Sequence, residues 1–450
     1  MGGTIYLSSS QFSKNKVVSF VITILTMYLL KPYLAARAQI VTFILFSLTV
    51  YFIEKFLQTH KKRYVIPLLL IPILIANLHC AVFPFYFVLF LPYIAEYLWI
   101  TILDWDLDYR MIGWGLKIAK KLPTKQKFKE NCDNKLRKIP LIIQENKDKR
   151  KRRRANPYKI KMEKNPFAKW LILIVIITAF TGFINPTGKG AYTYTYDIYR
   201  GNTTKSINEH LPVTLIDSKE FLTALCVFLA ILVFTDTKIK LSDLFMLGGL
   251  VTLSLMSRRQ ISMFAIFCSP ILAKLISAMV EKYDKKTCQK LFHFAVSAIG
   301  ALLIVVAFSF HTVHEMKKMQ QRQEPYISEA TYPVKAADWM LKNLDVNNMR
   351  IYNEYNYGSY LLFRGIPVFI DSRCDLYAPE FNGGEDIFTD ALDIASIAVD
   401  YDKKFDEYDV THVIAYANSK LVMLMKEDKS YKRIYEDDHF SIFERKKNEK

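Results

Sequence analysis

Two adjacent arginines are the strongest candidates for chemistry in this chain. Arg258 and Arg259 lie in the stretch LMSRRQISMF, between two apolar runs. Paired guanidinium groups offer several N–H donors in a geometry that suits a phosphate group. The pair therefore predicts a phosphate site. The alternative is that both arginines simply contact the phosphates of ordinary membrane lipids.

Further polar residues occur where other apolar runs end. Asn77 and His79 lie in IANLHC, Asn185 in FINPTGKGAY, and Glu209 with His210 in INEHLP. Ionisable groups at membrane depth are costly and usually functional. Asn77, His79 and Asn185 are candidate binding residues because they share one predicted side of the membrane with the arginines, although His79 also fits a hydrogen-bonded helix end. Glu209 is the candidate catalytic base, and a structural role for it stays open.

A third candidate cluster lies in residues 353–377, NEYNYGSYLLFRGIPVFIDSRCDLY. Two predicted strands end there, and ligands gather at the carboxyl ends of strands in open α/β sheets. One interpretation is a polar pocket facing the membrane. The other is a capped loop in which Asp371 pairs with Arg373 and Asp375 caps a helix. The candidate binding residues are Tyr357, Asp371, Arg373 and Asp375, beside Asn353 and Tyr355, with Gly358 and Gly365 as turn formers.

The elements that must position these residues are mostly apolar helices. Hydrophobic residues make up 51% of the 450. A helix that spans a bilayer needs about 20 mostly apolar residues. The sequence therefore predicts a polytopic α-helical membrane protein with about nine spans. The predicted spans are residues 17–30, 40–57, 64–79, 83–103, 169–185, 218–236, 243–256, 261–280 and 291–311.

The distribution of charge predicts the orientation. Residues 104–169 contain 21 Lys/Arg against 8 Asp/Glu, whereas residues 312–450 contain 19 against 25. Loops rich in Lys and Arg stay in the cytoplasm. We therefore expect a multi-pass plasma-membrane protein whose N-terminus is cytoplasmic and whose C-terminal domain is extracytoplasmic. The predicted regions are N-terminal helices 1–103, a basic cytoplasmic loop 104–168, a second helix group 169–311 and an extracytoplasmic domain 312–450.

Two stretches have a second interpretation. Lys14 and Lys16, followed by a short apolar run, imitate a cleaved signal peptide. The run KDKRKRRR at 147–154 resembles a nucleic-acid patch. Its place between two predicted spans favours a solvated loop near anionic headgroups, so no nucleic-acid partner is expected.

Residues 312–450 predict a small, largely parallel α/β domain, because strand and helix patterns alternate there. The six cysteines have no metal-ligand spacing, so a disulfide framework is not expected and Cys374 is expected to be a free thiol. No cofactor is expected, and the need for a divalent metal stays open. The predicted elements are a helix at 331–344, strands at 349–355 and 367–371, helices at 357–364 and 385–404, a strand at 410–416, a helix at 419–428 and a hairpin around 437–438.

The chain resembles a large set of bacterial membrane proteins of the GT-C class of glycosyltransferases. The resemblance rests on NLH at 77–79, NP-x-G at 185–188, RR-x-I-x-M-F at 258–264 and YGSYLLFRGIPVFIDSRCDLY at 357–377. It implies a polyprenyl-phosphate-linked sugar as donor and a cell-envelope glycan, lipid or protein as acceptor. By the same resemblance, Arg258 and Arg259 would hold the phosphate, and Asn77 and His79 would line the cavity.

The class also implies an acidic residue in the first outer loop as general base. In this chain that loop, residues 31–39, contains no Asp or Glu. We therefore expect the chain alone to lack transferase activity, with a second polypeptide as a candidate source of the base. The alternative function is a non-catalytic envelope protein that binds lipid-linked glycan or scaffolds a partner. A transporter is disfavoured, because the sequence indicates no buried charge pair.

Overall fold

The computed structural model describes residues 1–34, 37–123, 126–201, 207–214, 216, 218–286, 294–321 and 327–446. The chain divides into two compact units. The first contains residues 1–195 and 208–305, and the second contains residues 196–207 and 306–450. The first unit, which contains most of the apolar stretches, is mainly helical, and the second contains a four-stranded sheet.

Helices form almost all of the first unit, and one long helix leads into the second. Their bounds are α1 Gly2–Ser13, α2 Lys16–Leu30, α3 Gln39–Thr59, α4 Val65–Leu78, α5 Phe83–Val88, α6 Leu91–Trp105, α7 Leu107–Lys121, α8 Gln126–Ala155, α9 Ala168–Ala179, α10 Gly190–Arg200, α11 Lys219–Phe234, α12 Leu241–Met256, α13 Ile261–Tyr283 and α14 Phe294–Gln321.

Five stretches in the described part of the chain are long and apolar enough to cross a membrane. Each of the other four predicted spans also contains an apolar helix, but those helices are short. For example, α4 has 14 residues and α11 has 16, below the usual length of about 20. The five long stretches are Lys16–Tyr33, Gln39–Thr59, Cys80–Trp105, Arg258–Tyr283 and Ala298–Gln320.

Two regions are more ordered than the sequence predicts. The N-terminal tail forms helix α1, which packs on α2, α3 and α13. Ile5 is fully buried there, and the Ser8 hydroxyl lies 3.5 Å from that of Ser47. The basic segment is not a plain loop, because it forms the antiparallel-packed helices α7 and α8.

The connections of the helical unit gather at two ends. At one end, Asn165 Nδ2 donates to the Leu57 carbonyl at 2.8 Å, and strand β1 (Ile160–Lys161) pairs in parallel with strand β2 (Ile239–Lys240). At the other end of the helices lie the candidate residues: Asn77 in the last turn of α4, and His79, Asn185, Glu209, Arg258 and Arg259 in the connections. The helices thus separate the basic segments from the candidate site.

The second unit is built around a four-stranded mixed sheet. Its strands are β3 Ile351–Tyr352, β4 His412–Tyr416, β5 Tyr431–Glu436 and β6 Phe440–Arg445, in the order β3-β4-β6-β5. Only β3 and β4 are parallel, whereas β4-β6 and β5-β6 are antiparallel. The prediction of a largely parallel sheet is therefore wrong, although the hairpin around Asp437 is confirmed. Helices α15 Val334–Asn343, α16 Tyr355–Phe363, α17 Pro379–Asn382, α18 Ile387–Ser396, α19 Tyr401–Glu407 and α20 Lys420–Glu427 complete the unit.

Three local predictions fail for identifiable reasons. Residues 367–371 form no strand, and backbone groups of this segment bond to a side chain instead: Phe369 N donates to Asn353 Oδ1 at 2.8 Å, and the Ile370 carbonyl accepts from Asn353 Nδ2 at 2.7 Å. The predicted helix 385–404 is broken at Ile397, whose φ of 59° is left-handed. Gly358 is not a turn former, since it lies inside α16, whereas Gly365 has a φ of 79° and does form a turn.

Candidate functional site

The arginine pair borders a cavity of about 300 Å³ in the helical unit. Arg258 and Arg259 lie on a single 3₁₀ turn, Arg258–Gln260, between α12 and α13. Both side chains are half-buried. The cavity is lined by Pro32, Tyr33, Arg37, Gln39, Glu209, Arg258 and Arg259. The volume lies at the lower end of the range of about 300–1,000 Å³ that is usual for ligand pockets.

Backbone hydrogen bonds hold the Glu209 segment beside the arginine turn. The Arg258 amide donates to the Leu211 carbonyl at 3.0 Å, and the Val213 amide donates to the Leu255 carbonyl at 3.2 Å. The Ser257 hydroxyl donates to the Glu209 carbonyl at 3.2 Å. These bonds fix the main chain, so the Glu209 carboxylate is positioned at the cavity.

The lining residues give the cavity a positive charge. Three arginines face one carboxylate, and the Arg37 guanidinium pairs with Glu209 at 3.3 Å. Helices α3 and α13 both begin at the cavity, and helix N-termini favour anions. Among the described residues, no carboxylate lies within ion-pair distance of Arg259. The arrangement is suited to an anion carrying more than one negative charge.

Of the other candidate residues, His79 interacts with one of the cavity arginines. Its Nδ1 lies 2.6 Å from the Thr42 hydroxyl, and its ring is close enough to Arg259 for their charges to interact. Asn77 instead donates to the carbonyls of Ile73 at 2.8 Å and Ile184 at 2.7 Å. It therefore joins the end of α4 to the connection after α9.

Asn185 organises its own turn. Its amide donates to the Gly188 carbonyl at 3.0 Å and to the Gly182 carbonyl, while its Oδ1 accepts from the Thr187 amide at 2.8 Å. The side chain is thus fully used within residues 182–188. None of Asn77, His79 and Asn185 is among the residues that line the cavity.

Sequence reasoning did not select Tyr33, Arg37 and Gln39, which also line the cavity. A signal for Arg37 was present, because it lies in a predicted outer loop where positive charge is unusual. Arg258 and Arg259 carry the same anomaly. The structure brings the anomalous arginines to one cavity.

In the second unit, the structure brings the 353–377 residues together as an ion-paired loop. Asp371 is fully buried and pairs with Arg373 at 2.5 Å, and it also accepts from the Arg373 amide at 2.8 Å. The hydrogen bonds from Arg373 lower the pKa of Asp371. Asp375 lies inside the turn Cys374–Tyr377, with Arg373 in the capping position. Burial raises the pKa of Cys374, a free thiol, to about 11.

Tyr357 belongs to the core of the second unit. Its ring is fully buried, and its hydroxyl donates to the Ile414 carbonyl at 2.7 Å. It also accepts from the Glu354 amide at 3.2 Å, as part of a capping box at the start of α16. Burial raises the pKa of Glu354 to about 7. No surface of Tyr357 is left for a ligand.

The helical unit contains a second charged cluster at the opposite end from the arginine cavity. Lys274 pairs with Asp243 at 2.5 Å, and Lys240 lies 3.7 Å from Glu96. Asp243 and Glu96 are almost entirely buried, as is Glu54 nearby. The prediction that the chain has no buried charge pair is therefore wrong. Lysines and carboxylates that are far apart in sequence come into contact only in the folded bundle.

The sequence matches no protein-family model and has no significant match among curated proteins. Within the described residues, no group of three His, Cys, Asp or Glu side chains is arranged to hold a metal ion.

Proposed function

We propose that this chain is an integral membrane protein that binds the phosphate of a polyprenyl-phosphate-linked sugar in the arginine cavity, as a glycosyltransferase of the GT-C type. The observation that carries the proposal is the cavity of about 300 Å³ with three arginines and one carboxylate. Arginine is suited to phosphate because its planar group donates two parallel hydrogen bonds. The position of the cavity at one end of the apolar helices fits a lipid-linked ligand.

In the proposed reaction, the acceptor hydroxyl attacks the anomeric carbon of the sugar. The bond between that carbon and the phosphate oxygen breaks, and polyprenyl phosphate leaves with the electron pair. Glu209 would accept the hydroxyl proton, and Arg258 and Arg259 would stabilise the charge that develops on the phosphate. The missing acidic residue in the 31–39 loop is thereby replaced by a carboxylate of the chain itself.

Binding without catalysis is the second candidate. Among the described residues that line the cavity, Glu209 is the single carboxylate, and it is already paired with Arg37. In that case the chain would present lipid-linked glycan to a second polypeptide that supplies the base. The two candidates share the same binding step and differ in turnover.

The binding step is tested with the full chain in lipid nanodiscs. Arg258→Ala/Arg259→Ala should weaken the binding of polyprenyl phosphate roughly tenfold to a hundredfold, because charge-assisted hydrogen bonds contribute about 1.5–3 kcal/mol. The matched control is Lys61→Ala/Lys62→Ala, which removes the same charge from exposed residues at the opposite end of α3. Equal affinity for polyprenyl phosphate in both double variants would show that the arginine pair contacts only ordinary lipid.

The proposed orientation has a separate test. We propose that the basic segment with α7 and α8 is cytoplasmic, and that the C-terminal unit lies outside the plasma membrane. A phosphatase that is active only outside the cytoplasm would be fused after residue 150 or after residue 320. We expect activity at 320 and none at 150, and the reverse pattern would invert the topology.

A further inference from the structure

Helix α7 carries an apolar stripe that faces away from the rest of the helical unit. Leu107, Met111, Trp114 and Ile118 are spaced three or four residues apart and so share one side of the helix. Their exposed fractions are between 45% and 70%. The opposite side packs against α8, where Gly113 is buried beside Ile139. The stripe is therefore a surface that the described part of the chain leaves uncovered.

The position of α7 is fixed by ion pairs at the corner that follows α6. Asp106 has a left-handed φ of 44°, which turns the chain sharply between the two helices. The Asp106 carboxylate accepts from Arg150 Nη1 at 2.8 Å, and Asp104 accepts from Arg154 Nη2 at 2.6 Å. At the far end, Lys120 pairs with Asp133 at 2.6 Å. Thus α8 holds α7 along its length in one orientation.

Positive charge surrounds the apolar stripe. Helices α7 and α8 together contain 16 Lys/Arg against 5 Asp/Glu. At 100° per residue, Arg110, Lys117 and Lys121 lie along one flank of the stripe. An apolar face edged by basic residues is typical of helices that lie in the plane of a membrane interface.

We propose that α7 is an interfacial helix that docks on an anionic lipid surface, with its stripe inserted at the level of the headgroups. The helix begins two residues after the membrane-length stretch that ends at Trp105, so the bilayer is adjacent by covalent continuity. Trp105 and Trp114 are both more than half exposed, and tryptophan prefers this interface. The proposal is independent of the arginine cavity and requires only that the stretch ending at Trp105 crosses a bilayer.

The test places a fluorescent label on the stripe of the full-length chain. In a background without native cysteines, Met111→Cys is labelled and the protein is placed in nanodiscs of phosphatidylcholine, with or without phosphatidylglycerol. Asp108→Cys is the matched control, because it is exposed on the same helix but outside the stripe. In anionic discs, spin-labelled lipid should quench the label at 111 severalfold more than the label at 108, and aqueous iodide should show the opposite preference.

The charged flank is tested in the same discs. Arg110→Gln/Lys117→Gln/Lys121→Gln should raise iodide quenching at 111 severalfold in anionic discs, to the level found in neutral discs. Equal iodide quenching at 111 and 108 would overturn docking on the membrane. Protection of the label at 111 from both iodide and lipid would show instead that a protein or a second copy covers the stripe. Equal lipid contact in neutral and anionic discs would overturn the preference for anionic lipid.

Discussion

Arg37 and Glu209 are separated by 172 residues, yet their side chains meet at 3.3 Å beside the arginine turn. The exposed fractions of the two side chains are 65% and 52%, so water screens the pair. Exposed ion pairs of this kind contribute at most about 1 kcal/mol. The carboxylate can therefore exchange Arg37 for the hydroxyl of an acceptor at little cost. This makes Glu209 the critical residue for separating catalysis from binding.

Glu209→Gln should leave the binding of polyprenyl phosphate unchanged or tighter, because it removes the negative charge from a positive cavity. If Glu209 is the base, sugar transfer should fall about 10²–10⁴-fold. The measurements are the affinity for polyprenyl phosphate and the consumption of a polyprenyl-phosphate sugar in the same nanodiscs. Glu220→Gln, an exposed carboxylate at the start of α11, is the matched control. Binding without any turnover in the unsubstituted chain would favour the non-catalytic candidate.

Asp243→Ala should destabilise the helical unit, because it leaves the Lys274 ammonium without the carboxylate at 2.5 Å. Breaking a buried pair costs about 3–5 kcal/mol, and Lys274 retains some exposure, so we expect about 2–3 kcal/mol. Thermal unfolding of the detergent-solubilised chain is the measurement. The control is Asp236→Ala, whose pair with Lys282 at 3.0 Å is exposed and should be nearly neutral. Equal losses in the two variants would mean that burial does not strengthen the inner pair.

The sequence predicts the positions of the apolar helices well, because their composition alone decides them. It also predicts the arginine pair as a candidate site, because two adjacent charges between apolar runs are visible in the sequence alone. It does not predict that Arg37 and Glu209 join that pair. Their meeting depends on hydrogen bonds between the 209–213 segment and residues 255–258, which are non-local.

The C-terminal unit shows a different limit. Alternating strand and helix patterns do not reveal strand direction, so the prediction of a largely parallel sheet was wrong. Gly358 is a further example, because a glycine within a helical pattern is usually a weak signal. Only the structure shows why a residue without a side chain is needed at this position: the Ile370 carbonyl oxygen packs against it.

Gly358→Ala should strongly destabilise the second unit. A Cβ at this position would lie well under 3.0 Å from the Ile370 carbonyl oxygen, a backbone atom that cannot move aside alone. Overpacking of this kind typically costs about 1–3 kcal/mol, and we expect the upper part of that range. Protease resistance of the C-terminal unit in the full chain is the measurement. Gly384→Ala is the control, because its Cβ would make an ordinary contact, and similar resistance in both variants would contradict the close approach.

Glu354 should make the stability of the second unit depend on pH. Burial raises its pKa from 4.5 to about 7, so the folded state keeps a proton that the unfolded state releases between those values. The free energy of unfolding should therefore fall as pH rises from about 4.5 to 7 and then level off. The full shift corresponds to about 3 kcal/mol, and we expect about 2 kcal/mol because the side chain is not completely buried.

Hydrogen exchange of the buried β4 amides Val413 and Ile414 in the full chain measures this free energy, after correction for the intrinsic exchange rate at each pH. Glu354→Gln keeps an oxygen that can accept from the Tyr357 amide but has no proton to lose, so the fall in stability with rising pH should disappear. Burial lowers the pKa of His412, so the contribution to stability that remains from this residue rises with pH. Glu427→Gln, an exposed carboxylate on α20, should retain the pH dependence of the unsubstituted chain. A fall with rising pH that persists in Glu354→Gln would assign it to another group, because a neutral amide cannot titrate.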